Sequence, residues 1–389
     1  MPVRLQGLSR HPSRTGRHEH APLPMEEPCA AVRNGGDLDR RLCGTRPCPF
    51  HGIAGLSCHT SSTTLVASMV TLLMNVASAT AITLFVFGLL SRATRSWIKG
   101  RIPRDGKIIA VDGLDLHYVD RGVGRPIVLI HGLSGQLRNF APALVNRLAA
   151  DHRVILIDRP GSGYSAPFPA GKNTLAGQAD KVASLIAELG LNAPLIVGHS
   201  LGGAVALNLA LNHPGEVGGL ALIAPATQPI DKPALAFRAM AIPSDVLRRL
   251  VSLTFAAPLG LLIFDRFARA VFAPEPMPTQ FATKGGGLLV IRPDSYFAAG
   301  GDMIAVREAL PVLAARYPSL RMPVDVLFGR SDQVLEPDIH GVRLRDAVPG
   351  ATLTQIEGGH MIVYTRPEIV ADWILAQDTK NVQIGRLND

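Results

Sequence analysis

The longest hydrophobic stretch in the chain is a run without a single charge, residues 64 to 90, TLVASMVTLLMNVASATAITLFVFGLL. It exceeds the ~20 apolar residues that cross a bilayer core as a helix, and so predicts one transmembrane helix. A cleavable signal sequence would have a shorter apolar region with a basic flank close before it. Residues 1–63 are rich in Arg, Pro, Gly and His and carry neither a helical nor a strand period. They read either as a disordered extension or as upstream sequence from a misplaced start, with Met69 and Met74 inside the apolar run. Residues 91–106 read as a basic linker.

Beyond the linker the period changes. KIIAVDGLDLHYVDRG sets two alternating runs on either side of Asp112-Gly113, which predicts a hairpin. Runs that are apolar throughout follow: Ile127 to Ile130, Val154 to Ile157, Leu195 to Val197, Leu220 to Ile223 and Val324 to Phe328. They alternate with helix-period segments such as TLAGQADKVASLIAEL, residues 174–189. Such strands, separated by helices, predict an α/β fold with a mostly parallel central sheet and helices on both faces. From Pro225 to Pro323 the alternation stops. That stretch, which includes SDVLRRLVSLTFAAPLGLLIFDRFARAVF, reads as apolar helix broken by Pro and Gly. The predicted organisation is therefore a core in two parts, 107–226 and 321–389, with a helical cap inserted over one end of the sheet at 227–320.

A chain of 389 residues with 47% apolar content can bury a sizeable core. The net charge of +8 and pI of about 9.6 raise the question of nucleic acid or an anionic membrane surface as partner. Much of the excess flanks the apolar run. Arg4, Arg10, Arg14, Arg17, Arg33, Arg40, Arg41 and Arg46 precede it, and Arg92, Arg95, Lys99, Arg101, Arg104 and Lys107 follow. No basic helix interleaved with stacking aromatics accompanies them, so nucleic acid is not an expected partner. The cations immediately after the run favour a single-pass membrane protein whose folded domain is cytoplasmic, an orientation the upstream arginines would reverse if they are translated. The four cysteines, Cys29, Cys43, Cys48 and Cys58, all precede the folded part, which therefore has neither a disulfide nor a cysteine nucleophile. Cys43, Cys48, His51, Cys58 and His59 match no paired zinc-module spacing, and no metal is expected.

One pentapeptide adds chemistry. In PLIVGHSLGG, Gly198-His199-Ser200-Leu201-Gly202 fits the G-x-S-x-G turn, with a strand entering and GGAVALNLALNH leaving as a helix. Such a turn presents the serine hydroxyl at the C-terminal end of the sheet, beside the positive end of a helix. QIEGGHMIVYTRPE places His360 in a glycine-rich loop after a last strand, and VDVLFGRSDQVLEPD places Asp332 just past another. Strand ends on one rim of a parallel sheet converge, and the order Ser, Asp, His is the one this turn calls for. Asp338, Asp325 and Glu357 compete with Asp332 for the acidic place. PIVLIHGLSGQ supplies a loop whose Leu133 N–H, with that of Leu201, would face an oxyanion. His131 reads as a brace for that loop, His199 as a side chain packed locally away from the pocket, and Asp158 and Ser165 as turn residues.

From about residue 103 onward the chain resembles the α/β-hydrolase fold enzymes, through HG at 131–132, DRPGSGYS at 158–165, GHSLGG at the elbow and GGH near the end. The resemblance implies Ser200 as nucleophile, His360 as general base and acid, Asp332 as the residue orienting His360, and Leu133 and Leu201 as oxyanion donors. It implies no cofactor, and a cap that shapes the substrate pocket. Haloalkane dehalogenases and epoxide hydrolases of this family carry aspartate where this chain has Ser200. Meta-cleavage C–C hydrolases and proline iminopeptidases have other oxyanion loops, typically with Gly-Pro-Gly where HGLSGQ stands. A carboxylic ester, lipophilic because of the apolar cap and the membrane helix, is the expected substrate. Acyl transfer to another alcohol, C–C or amide hydrolysis, and a non-catalytic binding protein on the same scaffold are the alternatives.

Overall fold

The computed structural model describes residues 61–388, apart from 170 and 231–233. The extension and its Cys and His residues fall outside the described residues up to residue 60. Eight strands form one sheet: β1 Lys107–Val111, β2 Leu114–Arg121, β3 Arg125–Ile130, β4 His152–Ile157, β5 Leu195–His199, β6 Gly219–Ile223, β7 Val324–Gly329 and β8 Thr352–Ile356. Their order is β1-β2-β4-β3-β5-β6-β7-β8. The hairpin β1–β2 is antiparallel, as is β2 against β4, and every later pair is parallel. From β3 the chain goes to β4 on one side and then to β5 on the other. That reversal opens a crevice at the C-terminal ends of β3 and β5, where the loop after Ile130 and the turn after His199 lie.

The helices are α1 Ser61–Arg101, α2 Pro142–Leu148, α3 Leu175–Glu188, α4 Leu201–Asn212, α5 Asp245–Val251, α6 Ala257–Phe272, α7 Pro293–Arg316, α8 Arg343–Ala347, α9 Ile362–Thr365 and α10 Pro367–Asn388. The central strands are apolar throughout because successive side chains enter different cores. Val128, Ile130, Ile155, Ile157, Ile196 and Leu222 pack with α3, α4 and α7 on one face. Ile127, Leu129, Val154, Leu156, Val197 and Ile223 pack with α2, α6, α9 and α10 on the other. The expected α/β architecture, with a mostly parallel sheet covered on both faces, is present.

Between β6 and β7 the chain runs through a 3-10 turn, α5, a π-helical turn at Ser252–Ala256, α6, a second 3-10 turn, α7 and a short 3-10 turn at Tyr317–Ser319, with no strand among the described residues. α7 reaches back to the core, with Val306, Leu310 and Leu313 buried in the α3–α4 face.

α1 differs from the sequence expectation at its end. Residues 91–106, expected as linker, are helical as far as Arg101. From Thr64 to Thr83 every residue is exposed, after which Leu84, Phe87, Ser91, Arg95 and Ile98 form a half-buried to buried stripe at three- and four-residue spacing. Ile98 and Ile102 are fully buried in the core on the α2 side of the sheet. The charges at 92, 95, 99 and 101 lie around this docked stretch rather than along a free tether. Among the described residues, two helical stretches are long and apolar enough to cross a membrane by length and composition: Thr64–Arg101 and the continuous α5–α6 stretch Asp245–Phe272.

Candidate active site

Ser200 sits between β5 and α4 with φ 55° and ψ −120°, a conformation costing on the order of 1–3 kcal/mol for a residue with a side chain. Flanking glycines make the turn possible. A Cβ at Gly198 would stand 2.6 Å from the Gly202 carbonyl oxygen, and one at Gly202 would collide with the Ile130 carbonyl of the neighbouring strand. The Ser200 amide donates to Ile223 O at 3.0 Å, tying the corner to β6. The residue is only 8% exposed. It lines two cavities.

His360 arrives from the loop between β8 and α9, and Asp332 from the loop after β7. His360 Nε2 lies 3.0 Å from Ser200 Oγ, and its Nδ1 lies 2.8 Å from Asp332 Oδ2. With the proton on Nδ1, the ring donates to the carboxylate and leaves Nε2 as acceptor for the serine proton. Asp332 Oδ1 accepts from the backbone N–H groups of Val334 (2.8 Å) and Leu335 (3.0 Å). Burial pushes the Asp332 carboxyl up, yet His360 and these two amides together hold it below its usual value. The rival acids lie elsewhere: Asp325 bonds Thr352 Oγ1, Glu357 pairs with Arg330 at the surface, and Asp338 opens the helical turn before α8.

Leu133 and Leu201 line one cavity together with Ser200. Leu201 is the first residue of α4, where the N–H has no intrahelical acceptor. The orientation of Leu133 depends on a residue the sequence reading passed over. Arg159, fully buried, donates from Nε to His131 O (3.0 Å) and from Nη2 to Gly132 O (2.8 Å). In a trans peptide the N–H points opposite the carbonyl, so holding Gly132 O turns the Leu133 N–H the other way. Nη1 of Arg159 in turn bonds Gln178 Oε1 (2.6 Å) and Asp302 Oδ2 (2.9 Å), the latter on α7. The motif DRPGSGYS contained Arg159, but nothing local in it pointed to Asp302.

Other expectations change. His199 lines the narrower cavity, and its Nε2 bonds the His360 carbonyl at 3.1 Å, so it supports the histidine loop from below. Burial, with His360 nearby, lowers its pKa to about 3. His131 does brace its loop: Nδ1 bonds Gly132 O at 2.9 Å, and Nε2 accepts from Arg159 N at 3.0 Å. Asp158 is a buried hub rather than a turn residue, bonding His117 Nδ1 (2.6 Å), Leu137 N (2.8 Å) and Tyr164 N (2.7 Å). Ser165 joins it, accepting from His117 N and donating to Asp158 O. Glu275, which follows α6, accepts from Gly359 N (3.2 Å) and Thr365 Oγ1 (2.7 Å) on either side of His360.

Two cavities meet at Ser200. The larger, about 770 Å³, is lined mostly by apolar groups including Ala226, Ile230, Phe237, Met303 and Val306. The smaller, about 50 Å³, is walled by Phe264, Phe267, Phe272 and Phe281 beside His360. Among the described residues, no group of three His, Cys, Asp or Glu side chains is placed to hold a metal ion.

Residues 125–367 match the sequence pattern of the family described as alpha/beta hydrolase fold. A segment is 43% identical over 116 residues to the dihydrolipoyllysine-residue acetyltransferase component of the acetoin cleaving system of Cupriavidus necator, covering 30% of each chain. The chain thus spans less than a third of that relative. The 2-hydroxy-6-oxononadienedioate/2-hydroxy-6-oxononatrienedioate hydrolase of Comamonas testosteroni is 26% identical over 258 residues, 61% of this chain and 82% of that protein. A membrane phospholipase A shares the fold at a TM-score of 0.57 and 24% identity, with 81% of this chain and 98% of that one superposed.

Proposed function

The chain belongs to the alpha/beta hydrolase fold family, and on that premise we propose that it is a membrane-anchored serine hydrolase cleaving a lipophilic carboxylic ester. One observation carries the reading: a strained serine whose hydroxyl is 3.0 Å from a histidine that is 2.8 Å from a buried carboxylate, at the junction of two apolar cavities. Ser200 Oγ attacks the ester carbonyl while His360 Nε2 takes its proton, and Asp332 stabilises the imidazolium and its orientation. The N–H groups of Leu133 and Leu201 face the oxyanion, with Arg159 as the positioning residue that sets the first of them. His360 returns the proton to the leaving alcohol. Water, deprotonated by the same nitrogen, then releases the acid. The residues between β6 and β7 form the cap, α1 is the anchor, and its flanking cations favour a cytoplasmic catalytic domain.

The test is hydrolysis of p-nitrophenyl esters from acetate to palmitate by the full chain in detergent, beside Ser200→Ala and Asp332→Asn. Ser200→Ala should lower kcat by about 10⁴-fold or more and abolish fluorophosphonate labelling, and Asp332→Asn should lower kcat by roughly 10²–10⁴-fold. Labelling at Ser200 without turnover of any ester would favour acyl transfer to another alcohol, or C–C or amide cleavage. No labelling would overturn Ser200 as nucleophile and leave a binding protein on this scaffold.

A further inference from the structure

The stretch α5–α6 is apolar on two opposite sides. Phe264, Ala268 and Phe272, at four-residue spacing, are buried, and Phe264 and Phe272 wall the cavity beside Ser200 and His360. Leu259, Leu262 and Ile263 on the other side are exposed, at 45%, 80% and 56%. Val246, Leu247, Leu250 and Leu253, on α5 and the π-helical turn, are exposed as well. A helix already committed by one face to the core cannot also cross a bilayer, so this row needs an apolar surface alongside it.

The position of α1 says which surface. The Phe87 ring lies 4.7 Å from that of Phe255, in the π-helical turn. Phe87 is inside the charge-free run, three residues before its end at Leu90, or about 4–5 Å along the helix axis. If α1 spans the bilayer, Phe255 stands below the plane where the apolar run ends, within the ~5–10 Å depth that interfacial helices occupy. Arg92, two residues past the run, is exposed about 7–8 Å along the helix axis from Phe87, where a cation would meet anionic headgroups.

We propose that the outer face of α5–α6 is seated in the bilayer interface and that the ester substrate reaches Ser200 from the lipid phase. This rests on the reading of the chain as a membrane-anchored ester hydrolase. The cap is then a half-immersed helix, and only its own thickness of about 10–12 Å separates acyl chains from the phenylalanine-walled cavity.

The test is tryptophan quenching by brominated lipid, with the full chain reconstituted in phosphatidylcholine–phosphatidylglycerol vesicles. Leu262→Trp and, independently, Leu250→Trp should each add blue-shifted emission that brominated acyl chains largely abolish. Val123→Trp, in the exposed β2–β3 turn, should add red-shifted emission that they leave intact. Water-like, unquenched emission from Leu262→Trp and Leu250→Trp would overturn the proposal, as would blue-shifted but unquenched emission, which would indicate a second copy of the chain on this face. Leu262→Glu should lower hydrolysis of a long-chain ester dissolved in the vesicles several-fold while leaving p-nitrophenyl acetate hydrolysis unchanged. An equal effect on both would count against lipid-phase entry. Turnover of p-nitrophenyl acetate by the parent chain reports separately on the esterase reading, so the two can fail apart.

Discussion

Three histidines around the site are held neutral, two of them by their bonding and His199 by burial. His131 Nε2 accepts from Arg159 N, and His340 Nδ1 accepts from Thr227 N, so neither nitrogen can carry a proton. Burial, with Arg159 beside it, lowers His131 to about 3, and burial lowers His340 to about 4. With His199 they form a set whose folded pKa values lie below the ordinary 6.5. Between those values the unfolded chain binds protons that the folded chain does not, so stability falls as pH drops below about 6.5. Asp332 and Asp158, held below their ordinary value by their histidine partners, add a further loss at lower pH. His117, raised because its bonds to Asp158 outweigh the opposing effect of burial, has the opposite sign: its contribution is lost as pH rises through its folded pKa. Thermal unfolding should therefore show Tm falling steadily from pH 6.5 to 4, and His340→Asn should flatten part of that slope. A Tm unchanged over this range would mean that these rings are not neutral in the fold.

At the scale of elements, the insertion between β6 and β7 holds the loops carrying His360 and Leu133. Glu275 grips the loop carrying His360, while Asp302 on α7 pairs with Arg159 behind the loop carrying Leu133. Both members of the Arg159–Asp302 pair are at most 1% exposed. Removing one charge from such a pair leaves the other uncompensated, at a cost of about 3–5 kcal/mol. Asp302→Ala should lower the unfolding free energy by that amount in urea titration and, on the proposed mechanism, should lower kcat because Arg159 no longer holds the loop carrying Leu133; Asp302 also lines the larger cavity, so KM should move with it. An unchanged kcat in the folded variant would dissociate α7 from the action of the loop carrying Leu133.

For the whole molecule, α1 is part of the fold beyond the anchor role we propose for it. Ile98 and Ile102 are buried beneath the sheet, so a soluble form has to begin upstream of them. A truncation starting at Ser91 should unfold at a higher urea concentration than one starting at Arg101, which lacks Ile98. The expected difference is about 2–5 kcal/mol, the cost of emptying a buried aliphatic site. Equal stability would mean that the docked stripe contributes nothing to the fold.

The sequence by itself determined the α/β class, the strand positions, the serine turn and the Ser–Asp–His order, because each is written in a local period or a steric demand of a few adjacent residues. Continuous apolar strands report two-sided burial, and glycines around Ser200 report a corner that admits no Cβ. It also determined which loops end on the rim where Ser200, Asp332 and His360 meet. Only the tertiary structure decided that Arg159 pairs with Asp302 across 143 residues and that Glu275 supports the His360 loop. It alone decided that α1 continues past its charge-free run to dock on the body. Those are pairings between segments with no sequence period in common, and each is set by which surfaces the packed sheet brings together.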